Sequence, residues 1–320
     1  MSGFSSSKTA YYKKTKENTR RKTILNDFKV NKLVYLMAVP MILFYIFFHY
    51  MPLYGAQIAF RDFSPGLGIW ESPWVGFKYF ERFFNDVYFT RILTNTLSIS
   101  LQNILIGFPA PIIFALLLNE VRCNWFKRTI QTVTYLPHFI SIMIICGLIV
   151  DFTSREGLIS DILYFFGIPR QTMLQNPDLF QPIYVWSGVW QGVGWGSIIY
   201  LSALTNVDPQ LYEAAIIDGA GKFKQTLHVT LPGIMPTITI MFILRIGQLM
   251  NLDQEKILLL YNPITYETAD VISTYVYRKG LLDQSYSFSA AIGLFNSIIN
   301  FILVISANKI SKAVNETSLW

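Results

Sequence analysis

Apolar residues in this chain gather in long blocks instead of alternating or recurring at a helical period. Six stretches, near 33–58, 92–119, 129–150, 183–204, 234–252 and 288–307, are long and apolar enough to cross a bilayer, which takes about 17 to 25 predominantly apolar residues in a helix. Prolines fall within them at Pro40, Pro52, Pro109, Pro111, Pro137 and Pro236. Membrane helices tolerate such breaks where neighbouring helices or water satisfy the freed backbone groups. The pattern predicts an all-α membrane protein, a six-helix transmembrane bundle with kinks.

Composition supports lipid as the solvent. The 320 residues are 52% hydrophobic and only 14% charged, against about 25% charged in soluble domains. Cys123 and Cys146 fall beside and inside apolar segments, and both read as free thiols rather than a disulfide framework.

Charge sets the expected orientation. Nine of the 26 basic residues precede Leu33. That segment, 1–32, lacks the short apolar core of a cleaved leader and reads as a solvated cytoplasmic tail or an amphipathic surface helix. With the N-terminus in the cytoplasm, 16 Lys and Arg lie inside and nine outside, while the acids divide seven inside and 13 outside. Basic residues collect on the cytoplasmic side of membrane proteins, so both termini are expected there, with a membrane domain over 33–310 and a cytoplasmic tail over 311–320. The net charge of +6 is not gathered into a basic patch with interleaved aromatics, so no nucleic-acid partner is expected.

This topology places 205–233, between the fourth and fifth spans, in the cytoplasm. Asp208 followed by Pro209 is a helix start, because the carboxylate accepts from exposed N–H groups and proline loses no needed donor at the first position. Gly219 can end that helix in the left-handed conformation, and a second short helix is expected from about Gly221 to His228, making an elbow near a right angle. Ala214, Ala215, Gly219, Ala220 and Gly221 give the elbow a small-residue surface, flanked by Glu213 and Asp218. Chemistry alone leaves two uses open: close approach by another protein, or packing against the chain's own bundle.

The spacing of Glu213-Ala214-Ala215, Gly219, Val229 and Leu231-Pro232 resembles the signature loop of binding-protein-dependent ABC importer permeases, the MetI-like transmembrane domains. Val229 stands where that family usually has isoleucine, and Leu227 where an aromatic is common. Pro52-Leu-Tyr-Gly-Ala-Gln-Ile-Ala-Phe60, Ser72-Pro-Trp-Val-Gly-Phe77 and Tyr135-Leu-Pro-His-Phe139 are similar to segments of its LplB-like branch, which handles complex oligosaccharides. The resemblance implies that the Glu213–Ala220 helix couples to a cytoplasmic ATPase. It also implies a second permease subunit in a heterodimer, two ATPase subunits holding ATP and Mg, an extracytoplasmic binding protein, and a location in the bacterial cell membrane. Loops near 60–91 and 253–287 are expected to help receive the binding protein.

No catalytic or metal site is expected in this chain. Gly219-Ala-Gly-Lys222-Phe223 lacks the first glycine and the hydroxyl of a phosphate-binding loop,, so ATP belongs to partner chains. His49, His138 and His228 are too scattered for a zinc site or a nucleophilic triad.

Polar residues inside spans are costly in lipid and mark candidate solute paths. The fourth span offers Trp186, Trp190, Gln191, Trp195 and Tyr200, aromatics and amides suited to the apolar faces and hydroxyl rims of sugars. The fifth offers Arg245 and Gln248, with Asn251 and Asp253 near its outer end. Asn296 and Asn300 share a face of the sixth, and Asn95, Gln102 and Asn103 lie in the second; for these, hydrogen bonding between helices is the competing use. Peptide or amino-acid import is the alternative cargo. An ion-driven carrier would need intramembrane acids, which the six spans lack, and a membrane-embedded enzyme would need a catalytic constellation.

Overall fold

The computed structural model describes Asp27 and residues 30–315. Most of the 1–32 segment, expected as a cytoplasmic tail or surface helix, and residues 316–320 of the expected cytoplasmic tail lie outside them. The described residues are helical, with one isolated bridge between Arg61 and Trp74. Residues through Gln57 form one unit and those from Ile58 another.

The first unit holds α1, Lys32–Tyr45, none of whose residues is buried. The second holds α2 (Lys78–Phe84), α3 (Phe89–Gln102), α4 (Pro109–Glu120), α5 (Asn124–Tyr135), α6 (Ile142–Phe152), α7 (Leu158–Phe165), α8 (Pro177–Leu204), α9 (Pro209–Ile217), α10 (Leu231–Ile246), α11 (Gln254–Leu260), α12 (Tyr266–Ala269), α13 (Ile272–Tyr277) and α14 (Tyr286–Asn315).

Among the described residues four helices are long and apolar enough to cross a membrane: Lys32–Phe60, Phe89–Glu120, Lys222–Ile246 and Tyr286–Ala313. The expected third span, 129–150, is not one helix. It breaks at the tight turn Leu136–Phe139 and the extended Ile140 and Ser141, and its halves, Asn124–Phe139 and Ile142–Phe152, are bent by 104°. The pair makes a fifth candidate if it is one span. The expected fourth span lies within the 28-residue α8; its Trp, Gln and Gly residues keep it below the apolar content of the others.

At three prolines the long helices widen, whereas Pro40, Pro182 and Pro236 sit inside regular α-helix. Five-residue π-helical turns at Ile46–Tyr50, Asn103–Gly107 and Thr226–Thr230 each end two residues before a proline, Pro52, Pro109 and Pro232. A proline ring clashes with the carbonyl four residues back, and a wider turn re-aims that carbonyl while the helix continues. The second short helix expected over 221–228 is therefore the start of one long helix, Lys222–Ile246, and the fifth span runs 222–246 rather than 234–252.

Three clusters form the core. Phe83, Ile92, Tyr275, Phe288 and Ile292 join α2, α3, α13 and α14, with Phe83 set edge-on to Phe89 and Phe295. Ile145, Ile149, Phe180, Tyr184, Ile257 and Leu260 join α6, α8 and α11. Ile112, Tyr200, Leu204, Val207 and Ile234 lie beneath the 205–233 elbow. The 253–287 segment is thus not a free loop: Ile257, Leu260, Ala269, Val271, Ile272 and Tyr275 are each at most 3% exposed.

Candidate functional site

The elbow forms where local rules place it. Asp208 accepts from the Gln210 N–H at 2.9 Å, with Pro209 opening α9. Gly219 has φ 75°, Ala220 N–H donates to the Ala215 carbonyl at 2.8 Å and Gly219 N–H to the Ile216 carbonyl at 3.0 Å, a complete glycine-terminated helix end. Gln225 Nε2 donates to the Ala220 carbonyl at 2.7 Å, and Tyr212 OH to Thr230 Oγ1 at 3.0 Å, tying α9 to the following long helix. Val207 fills the base and touches Gly233, where an added Cβ would fall 2.9 Å from it.

Glu213, Ala214, Asp218 and Gly219 are exposed, Ala215 and Ala220 half-buried. The sequence reading missed their neighbours Ile216, Ile217 and Phe223, which are 61%, 86% and 81% exposed. Bulky apolar groups this uncovered beside a small-residue surface make a contact face.

A cavity of about 700 Å³ lies between α8, α10, α4 and the Asn103–Gly107 turn. Gln191, Arg245 and Gln248 line it together, as do Asn103, Tyr200, Asn251 and Asp253. Gly188, Gly192 and Gly196 bring the α8 backbone to its wall at four-residue intervals, one helix face. Arg245 stands in the last turn of α10, and Gln248 follows in the turn beyond it.

Lys256 is the lining residue that sequence reasoning missed. It is 3% exposed, donates from Nζ to the Tyr184 carbonyl at 3.2 Å and lies 5.0 Å from the centre of that tyrosine ring. Burial pushes its ammonium down to about 8, with Cys146 and Asp253 opposing. Read as part of an outer loop, Asp253-Gln-Glu-Lys256 looked solvated; the signal was the run Ile257-Leu-Leu-Leu260, an apolar face that folds α11 into the bundle behind an Asp253 cap on Lys256 N–H.

Other candidates lie elsewhere. Trp186 and Trp190 line a separate apolar cavity of about 420 Å³ with Ile149, Phe152 and Ile183; each residue turns about 100° around a helix, so Gln191 points away from them. Trp195 stacks on His138 at 4.5 Å with planes 5° apart. Asn296 and Asn300 reach the cavity only through Asn251, both donating to its Oδ1, at 2.8 and 3.1 Å, while Asn300 Oδ1 accepts from Met250 N–H at 3.1 Å. Asn95 donates to the Glu267 and Asp270 carbonyls, and Gln102 to Gln181 Oε1. Among the described residues no His, Cys, Asp and Glu cluster could hold a metal ion.

Comparison with known proteins bears on both features. The family described as "Binding-protein-dependent transport system inner membrane component" matches residues 107–316, which contain the elbow and every cavity-lining residue except Asn103. Protein LplB of Bacillus subtilis (strain 168) is 44% identical over 293 residues, 91% of this chain and 92% of LplB. The polygalacturonan/rhamnogalacturonan transport system permease protein YteP of the same organism is 43% identical over 302 residues, 94% of each chain. A chain in the crystal structure of a bacterial ABC transporter involved in the import of the acidic polysaccharide alginate is 40% identical with a TM-score of 0.84, over 92% of this chain and 99% of that one. The same likeness holds for that transporter in complex with an alginate pentasaccharide-bound periplasmic protein.

Proposed function

This chain belongs to the family of binding-protein-dependent transport system inner membrane components, and from that membership we propose that it carries an oligosaccharide through the cavity lined by Gln191, Arg245 and Lys256. It is a multi-pass inner-membrane permease subunit of an ATP-driven importer; the chemistry it performs is passage, not bond making.

One observation carries the reading. The helix Lys222–Ile246 begins at the elbow and ends at Arg245 on the cavity wall, spanning roughly 35 Å at about 1.5 Å per residue. A displacement of the elbow is delivered to the cavity through a single element. The exposed Ile216, Ile217 and Phe223, beside Glu213, Ala214, Ala215, Asp218, Gly219 and Ala220, form the face that docks on a cytoplasmic ATPase, which binds ATP and Mg. Two such ATPases sit beneath this chain and a second, different permease. A periplasmic binding protein delivers the sugar from the other side. Both termini face the cytoplasm, as the excess of Lys and Arg on that side supports. The carbohydrate cargo is supported by the names of YteP and of the alginate importer, and by a cavity volume within the about 300–1,000 Å³ of small-molecule sites.

The test is uptake of labelled oligosaccharides by cells carrying Glu213→Lys or Gly219→Asp, with membrane abundance and ATPase co-purification followed together. Loss of uptake and of ATPase association at normal abundance is expected. Unchanged ATP-dependent uptake in both variants removes the coupling role.

A further inference from the structure

The elbow is fastened to the long helix Lys222–Ile246 at few points, and they converge on one turn. At its base Val207 packs beside Gly233. Beyond the end of α9, Gln225 Nε2 donates to the Ala220 carbonyl at 2.7 Å. Among the described residues one side chain of α9 itself hydrogen-bonds to another element: Tyr212, whose OH donates to Thr230 Oγ1 at 3.0 Å. Lys222 Nζ also lies 3.4 Å from Glu120 at the end of α4, but both side chains are exposed, and surface pairs of this kind contribute little.

Thr230 closes the π-helical turn Thr226–Thr230, after which Leu231 N–H reaches back five residues to the Thr226 carbonyl. Thr230 is buried, and its Oγ1 donates to the Gln225 carbonyl, again five residues back, at 3.4 Å while it accepts from Tyr212. One hydroxyl therefore completes the widened turn and receives the elbow. Such turns are where helices bend, and they recur at functional sites. The Tyr212 ring packs against the cluster that holds Leu204, Val207 and Ile234, which fixes the direction of its hydroxyl. A force on α9 thus arrives at the joint of the helix that ends on the cavity wall, not at a stiff stretch of it.

We propose that Tyr212 is a positioning residue for coupling: its hydrogen bond to Thr230 passes displacement of α9 to the π-helical turn, which bends the helix Lys222–Ile246 and reshapes the cavity at Arg245 and Gln248. The proposal rests on the reading of the elbow as the ATPase-docking face and goes beyond it. Docking belongs to Glu213 and its exposed neighbours, transmission to Tyr212 and Thr230. Losing the bond leaves the docking face in place, because Val207 and Gln225 still hold the elbow, and cuts the path to the joint.

The test needs no cargo. The complete transporter, permeases and ATPases together in nanodiscs, carries Gln248→Cys on the cavity wall and Cys123→Ser to remove the exposed thiol; Cys146 is buried. The rate at which a water-soluble maleimide labels position 248 is measured with and without a non-hydrolysable ATP analogue, alongside ATPase co-purification. With Tyr212 and Thr230 in place the rate is expected to depend on the nucleotide. Tyr212→Phe, which keeps the ring, and Thr230→Val, which keeps the shape, each reduce that dependence about two- to tenfold, the worth of one neutral hydrogen bond, with co-purification unchanged. The double variant falls no further than either single, and Thr230→Ser, which retains the hydroxyl, keeps the full response. A full response in Tyr212→Phe overturns the proposal while leaving docking standing, and so do losses that multiply in the double variant or a Thr230→Ser response as low as that of Thr230→Val. Should Thr230→Val fail to assemble, Tyr212→Phe alone decides. A transporter that keeps both residues and binds its ATPase, yet shows no nucleotide response, also overturns the proposal; one that binds no ATPase removes the docking reading with it.

Discussion

Arg278 holds Asp270 with both terminal guanidinium nitrogens, Nη1 at 3.2 Å from Oδ1 and Nη2 at 2.6 Å from Oδ2, and the Asp270 side chain is 0% exposed. Thr274 Oγ1 donates to the same carboxylate at 2.9 Å, and Arg91 on α3 approaches it at 3.4 Å. Asn95, one turn further along α3, donates to the Asp270 carbonyl. One buried acid therefore fastens the 253–287 segment to a membrane-length helix.

Removing that acid leaves two arginines facing a buried gap. Breaking a buried, hydrogen-bonded pair from one side costs about 3–5 kcal/mol. Asp270→Ala is expected to lower the unfolding midpoint of the purified transporter markedly, and an unchanged midpoint would show that the cluster is not structural. Arg278→Lys keeps the charge, loses the fork, and falls between.

Gly219 isolates the elbow's backbone from its contacts. Its φ of 75° suits glycine, and an added Cβ would meet nothing within 4 Å. Gly219→Ala therefore costs only the left-handed conformation, on the order of 1–2 kcal/mol. The expected result is weakened ATPase co-purification and reduced uptake at normal membrane abundance.

Neighbouring glycines on α8 should respond oppositely. A Cβ at Gly194 would overlap the Thr134 carbonyl and sit 2.9 Å from the Tyr135 ring, whereas one at Gly192 meets nothing. Gly194→Ala is expected to destabilise by about 1–3 kcal/mol through forced separation of α8 from α5. Gly192→Ala is expected to leave thermal stability unchanged and to alter only sugar affinity.

Asn300 is a test of hydrogen bonding between helices. Replacing it with leucine leaves the buried Met250 N–H without its acceptor, while Asn296 still holds Asn251. Single polar contacts between membrane helices average about 0.6 kcal/mol, but an orphaned buried donor costs about 1–3 kcal/mol. The second effect wins, and a loss of about 1–2 kcal/mol in unfolding free energy is expected.

Lys256 gives the transporter a pH dependence with a definite sign. Its folded-state value of about 8 is below the ordinary 10.5, so the folded chain releases this proton earlier than the unfolded one. The groups facing it are Asp253, the Cys146 thiol of α6 and the Tyr184 ring and carbonyl. The buried ammonium opposes folding below pH 8, and that penalty is relieved as pH rises from about 8 toward 10.5. The unfolding midpoint of the purified transporter should therefore rise relative to that of a Lys256→Gln variant as pH is raised from about 8 toward 10.5, and an unchanged difference between the two would show that the buried ammonium carries no such penalty,.

What the sequence revealed and what it hid divide by range. The elbow was legible because Asp208, Pro209 and Gly219 act within a few residues of themselves. The fifth span was misplaced because Lys222, Lys224 and His228 look like loop residues and Pro232 looks like a stop, although the π-helical turn before it carries the helix through. The break at Ile140 and Ser141 has no local mark beyond Pro137. Lys256 was hidden for another reason: only packing of Ile257 and Leu260 against Ile149 and Tyr184 draws its polar neighbours inward, and no helical period within seven residues announces that. Arg245, Gln248 and Gln191 were found by polarity alone, but polarity could not separate the face of α8 holding Gln191 from the one holding Trp186 and Trp190.

The unadorned line of α8 has an evolutionary consequence. With Gly192 bordering open space and Gly188 only 3.5 Å from Lys256 Nζ for any added Cβ, the calibre of the passage is set methyl by methyl on one helix, apart from the contacts that keep the scaffold upright. A descendant of this chain can adapt to a slimmer or bulkier cargo through a single codon there and inherit the coupling machinery unaltered.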